Sequence, residues 1–173
     1  MENQTNSKSI ILNYGLYLGL LGSILHLALW AAGKALELGW VINLLSFIAL
    51  IVFVVLGIKK IKEADGGLIS WGGGLKIGVG IAMISGVISV IYTLLFMNVI
   101  DPGFQDIAME VQQQAWVDAG MTSEQIDASL EMAKKFQGPG IISGMILLMS
   151  AIIGFIVSAI AAAIMKKTEE DQY

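Results

Sequence analysis

Four continuous apolar runs dominate the chain, at 10–32, 38–58, 77–97 and 141–165. A helix needs about 20 apolar residues to cross the hydrocarbon core of a bilayer, and each run is long enough. The second and fourth carry no charge, and the third has only Lys76 at its mouth. The first is interrupted only by Asn13, Tyr14, Tyr17, Ser23 and His26. It is far longer than the roughly 7–15 apolar residues of a signal-peptide core, so it reads as a span. A membrane barrel would instead show alternating segments of about ten residues. The pattern predicts an all-α, polytopic membrane four-helix bundle, with 1–173 as a single membrane domain.

Polar positions concentrate between the third and fourth runs. Asp101-Pro102-Gly103 ends one helix and permits a new start. From Phe104, apolar residues recur at Ile107, Ala108, Val111 and Ala115, the spacing of one helix face. Gly120 serves as a C-terminal stop, and Thr122 with Gln125 fits a capping box that opens a second helix. Ile126, Leu130, Ala133 and Phe136 then form a stripe before Gly138-Pro139-Gly140 breaks it. The segment 103–137 is therefore expected to be an extracytoplasmic amphipathic helical hairpin.

Composition sharpens this picture. The chain has 173 residues, of which 56% are hydrophobic and 14% charged, with a mean hydropathy of +0.77. Soluble domains are nearer 45–50% apolar and about 25% charged. All ten basic residues are lysines, set against fourteen Asp and Glu, for a formal charge of −4. An acidic chain without arginine lacks the basic patch that a nucleic-acid binder needs. There is no cysteine and one histidine, which removes disulfide frameworks, thiolate nucleophiles and multi-histidine metal sites. No cofactor is implied.

Lysine placement orients the spans, because short loops rich in Lys stay cytoplasmic. Lys8, Lys59, Lys60, Lys62, Lys76, Lys166 and Lys167 fall on one side, and Lys34, Lys134 and Lys135 on the other. This puts both termini in the cytoplasm. Trp30 and Trp40 stand where outer interface anchors belong, and Tyr14 and Trp71 near the inner ends. Counting acids by side leaves +1 on the inner face and −5 on the outer face. The acidity of the chain is a property of that outer face, mostly of the hairpin. There Asp106 and Glu110 are four apart, and Glu124, Asp127 and Glu131 are spaced three then four. Like charges so spaced repel by a few tenths of a kcal/mol, which weak cation binding would relieve. The simpler reading is a solvated face with a Glu131–Lys135 ion pair.

Inside lipid, small residues mark the faces where helices approach closely. Gly15 and Gly19 repeat at four-residue spacing in the first span, as do Gly78, Ala82 and Gly86 in the third, and Ser150, Gly154, Ser158 and Ala162 in the fourth. These read as helix-packing faces within the bundle. The same pattern also suits contact between copies of the chain or with another membrane protein.

His26 is the one ionisable residue well inside a span, a functional hypothesis by default. It shares a face with Gly15, Gly19 and Gly22, about 9 Å below the outer surface at 1.5 Å per residue. Asn43, Thr93 and Ser143 lie at comparable depth in the other three spans. His26, Asn43, Thr93 and Ser143 thus make a candidate polar cluster. One reading is structural, through interhelical hydrogen bonds of roughly 0.6–2 kcal/mol. The other is an outward-facing pocket of a small transporter or channel subunit. Catalytic signatures fail: Gly33-Lys34 lacks the rest of a phosphate-binding loop, and Ser85-Gly86 and Ser143-Gly144 lack the glycine two positions upstream. The chain is expected not to be an enzyme.

Gly57-Ile58-Lys59-Lys60, Gly66-Gly67, Trp71 and Lys76-x-Gly78 together resemble the small four-span bacterial membrane proteins grouped as domain-of-unknown-function family 4199. Tyr92, Pro102, the hairpin with Gly120, Pro139 and Lys166-Lys167 continue the resemblance over about 10–167. Trp71 stands where the family pattern favours phenylalanine. The resemblance implies an origin in Bacteroidota and an inner-membrane location, and it carries over no functional residue because the family has no assigned activity. The expectation is a non-enzymatic multi-pass protein of structural or partner-binding role, acting through the acidic hairpin.

Overall fold

A computed structural model describes residues 2–168. Six α-helices account for nearly all of them: α1 (Glu2–Ala31), α2 (Gly39–Ala64), α3 (Trp71–Leu95), α4 (Phe104–Asp118), α5 (Ser123–Phe136) and α6 (Pro139–Met165). A π-helical turn, Phe96–Ile100, extends α3. Four segments are long and apolar enough to cross a membrane: Ser7–Ala31, Gly39–Ala64, Trp71–Ile100 and Pro139–Met165. The chain is thus an all-α protein with four membrane-spanning helices and a helical hairpin between the third and fourth. The helices outrun the apolar runs at several ends, and α3 begins at Trp71 rather than near 77. Three glycines and a lysine there are too short of apolar character to register in the hydropathy pattern, yet Ser70 caps them: its Oγ accepts from the Gly73 N–H at 3.1 Å.

The contacts divide the described residues into two compact units. One comprises residues up to Ser89 together with those from Leu147 onward, and the other is Val90–Ile146.

The first unit is held by close helix approach. Backbones can meet only where side chains are small, since lipid offers no hydrophobic drive for helices to associate. A Cβ added at Gly15 would lie 2.5 Å from the Ile84 Cβ, and one at Gly19 would lie 2.6 Å from the Ile88 Cβ. α1 therefore seats β-branched side chains of α3 against its own backbone. Between α3 and α6 the small residues interlock in a constant antiparallel register. Gly74 meets Ala162, Gly78 meets Ser158, Ala82 meets Gly154, and Gly86 meets Ser150. Each step of four along α3 is a step of four back along α6. α2 closes the unit, with Val54 and Ile58 fully buried beside Ile81.

Three polar ties join the ends of these helices. The Trp71 indole Nε1 donates to the Ala159 carbonyl at 3.1 Å, and Lys62 Nζ donates to the Met165 carbonyl at 2.7 Å. Ile69, in the connection from α2 to α3, pairs with Lys167 just beyond α6. Their reciprocal backbone hydrogen bonds of 2.9 and 3.0 Å form an isolated antiparallel bridge.

The second unit is built around the turn out of α3. The Asp101 N–H reaches back five residues to the Phe96 carbonyl at 2.9 Å, so the helix widens by one residue before Pro102 stops it. Phe96 is buried there between Tyr92, at 5.9 Å, and Phe104, at 5.3 Å in an edge-to-face arrangement. Gly120 ends α4 with φ of +79°, a conformation that disfavours any residue with a Cβ. The capping box of α5 is present: the Thr122 hydroxyl accepts from the Gln125 N–H, and the Gln125 side chain accepts from the Thr122 N–H. Pro139 opens α6 at its first position, where a missing N–H costs nothing.

Candidate functional site

The four polar residues of the spans differ in their surroundings. His26 is half-buried on α1 and Asn43 is exposed on α2, both in the first unit. Thr93 and Ser143 belong to the second unit and are half-buried. The Ser143 hydroxyl donates to the Pro139 carbonyl one turn back, at 2.7 Å. Ser23 does the same toward Gly19, at 2.9 Å. Such back-bonding satisfies a hydroxyl within its own helix.

The hairpin presents a different surface. α4 has no buried residue, and α5 buries only Ile126. Ile107, Val111, Val117, Met132 and Phe136 are each more than half exposed. These lie alongside Asp106, Glu110, Glu124, Asp127 and Glu131, so the surface is at once acidic and apolar. The Glu131–Lys135 ion pair suggested by the spacing does not form. Ion pairs among the described residues include Lys34–Glu37 and Lys59–Glu63. An exposed pair holds too little free energy to fix two long side chains, and Lys135 is left in solvent. Among the described residues no group of three or more His, Asp or Glu converges as a metal site.

The first unit contains a cavity of about 620 Å³. It opens where α1 and α3 begin and where α2 and α6 end. Lys8, Lys76 and Lys167 line it with Asp65, Ser7, Ser70 and Thr168, over walls formed by Ile11, Ile61, Ile69 and Ile77. The placement of these lysines along the chain orients the spans but does not by itself bring them together. The signal was available in their common side, and the missing element was the Ile69–Lys167 bridge, which no periodicity announces. Tyr14, read as an interface anchor, is instead half-buried against Phe53, with ring centroids 5.8 Å apart, and Lys60 Nζ lies 6.0 Å from its ring. An inward-facing position on α1 explains the change.

Four apolar helices crossing a bilayer, with a helical hairpin between the last two, define a multi-pass membrane protein in contact with lipid. The family described as "Protein of unknown function (DUF4199)" matches residues 13–167, and the chain belongs to it. No curated protein and no solved structure matches the chain.

Proposed function

We propose that the protein is a non-enzymatic component of a bacterial inner membrane, with both termini in the cytoplasm, whose acidic outer hairpin binds a partner protein. The observation that carries this reading is the exposed apolar set on α4 and α5, Ile107, Val111, Val117, Met132 and Phe136. Exposed apolar side chains on lipid-facing spans need no explanation. On a hairpin too polar to enter the bilayer, they mark a surface that gains free energy when covered. The surrounding carboxylates favour a partner with basic residues at the rim of its contact, since charge complementarity steers encounter and excludes wrong partners. The bias of lysines toward one side supports the orientation.

Two measurements test this. A reporter enzyme active only outside the cytoplasm works when fused near Gly120 and fails when fused near Asp65; the reverse pattern overturns the orientation. A photoactivatable cross-linking residue at Val111 or Met132 yields a discrete protein adduct in intact cells. Adducts to lipid alone would overturn the partner-binding role and make the hairpin a membrane-surface element.

A further inference from the structure

We propose that the cavity at the lysine-rich end of the first unit binds the phosphate group of an anionic phospholipid. The cavity holds about 620 Å³, enough for a headgroup. Lys8, Lys76 and Lys167 line it, and none of the three ammonium groups is engaged in an ion pair or hydrogen bond among the described residues. Among the described residues one lining carboxylate, Asp65, stands against these three positive charges, so an anion entering the cavity meets a net positive field from them.

The lysines come from three separate elements, which is what encircling a tetrahedral anion requires. Lys8 is on α1, Lys76 is in the first turns of α3, and Lys167 follows α6. The backbone of the third is fixed at the cavity, because Lys167 is one half of the bridge to Ile69. Ser70, which caps α3, also lines the cavity, placing the positive end of that helix dipole at the same spot.

The walls and the level of the cavity favour a lipid as the source of the phosphate. Isoleucines of α1, α2 and α3 form the lower surface, a lining that suits the glycerol and first acyl carbons of a lipid and gives nothing to a free inorganic ion. The cavity opens at the ends of four spans, the depth at which headgroups lie. Basic pockets between transmembrane helices are a recognised way of holding anionic headgroups. This inference does not depend on the hairpin's role or on which side of the membrane the lysines face.

The test uses purified full-length protein in a neutral detergent, with thermal unfolding followed as lipid is added. Phosphatidylglycerol raises the melting temperature in a saturable way, as expected of a ligand that binds only the folded state. Phosphatidylcholine of the same chain length does not, and neither does inorganic phosphate at equal concentration. The triple variant K8Q/K76Q/K167Q weakens the apparent affinity for phosphatidylglycerol by about tenfold or more. The variant K59Q/K60Q/K166Q removes three lysines that do not line the cavity, matches the charge change, and keeps the response. Equal stabilisation by phosphatidylcholine, or an unchanged response of the first variant, overturns the proposal. So does an equal loss in both variants, which would reduce the effect to net charge. Stabilisation by inorganic phosphate that the first variant abolishes overturns the lipid as source and leaves a phosphate-ion site. Binding of each variant is read from its own unliganded baseline, so a shifted starting stability does not mimic lost binding.

Discussion

The hydroxyl of Ser158 is fully buried against Gly78 and makes no hydrogen bond among the described residues. Its Oγ fills the space that a side chain at position 78 would need. A helical serine in an apolar setting ordinarily donates to the carbonyl one turn back, as Ser23 and Ser143 do here. Ser158 gives that up to let α3 and α6 close on one another. Burying a hydroxyl without a partner costs about 1–3 kcal/mol, so the site holds a recoverable penalty. Ser158→Ala is expected to leave stability unchanged or raise it by about 1 kcal/mol, measured by thermal or denaturant unfolding in detergent. Ser158→Val adds bulk against Gly78 and is expected to lower stability by about 1–3 kcal/mol.

The register between α3 and α6 predicts a coupling. A Cβ at Gly86 would sit 2.9 Å from the Ser150 Cβ and 2.6 Å from its Oγ. Gly86→Ala is expected to cost about 1–3 kcal/mol through overpacking, and Ser150→Gly in the same chain to return part of it. The interaction term of that double-mutant cycle should be about 0.5 kcal/mol or more. Gly144→Ala is the contrasting case, since nothing lies within 4 Å of the added atom, and its effect should stay within about 0.5 kcal/mol.

Trp71 makes a bond that phenylalanine cannot. Its indole donates to the Ala159 carbonyl at 3.1 Å while the ring stays 42% exposed. Trp71→Phe should keep the anchoring ring and lose about 0.5–1.5 kcal/mol, the usual net worth of one hydrogen bond. Trp40→Phe, at a ring that is 66% exposed, should be near neutral in the same assay.

The hairpin's second helix depends on its cap. Thr122→Ala removes the hydroxyl that accepts from the Gln125 N–H and is expected to cost about 1 kcal/mol. The loss should appear as faster amide exchange over the first turns of α5, with α1 and α2 unchanged, because the second unit is compact on its own terms.

Much of this architecture was legible in the residues. The four spans follow from apolar length alone, and the hairpin from Pro102, Gly120, Thr122 with Gln125, and Pro139, each a residue whose backbone chemistry dictates its position. What the pattern does not carry is pairing across the bundle. Gly15 and Gly78 announce that some helix comes close, but not that one receives Ile84 and the other Ser158. The π-helical turn at Phe96–Ile100 escaped for a related reason: a one-residue widening leaves apolar spacing almost unchanged, and only the Asp101-to-Phe96 hydrogen bond reveals it. The lysine cavity is a meeting of three distant chain positions, and hydropathy has no term for such a meeting.

The Ile69–Lys167 bridge and the Lys62–Met165 bond have a temporal consequence. Lys62 and Met165 are 103 positions apart, so the connection from α2 to α3 waits, unpaired, until translation has delivered the exit of α6. During biosynthesis the early helices are then inserted but unfastened, and the residues at the exit of α6 act as the latch. Insertion of the spans and closure of this end of the bundle are therefore separable events along the chain.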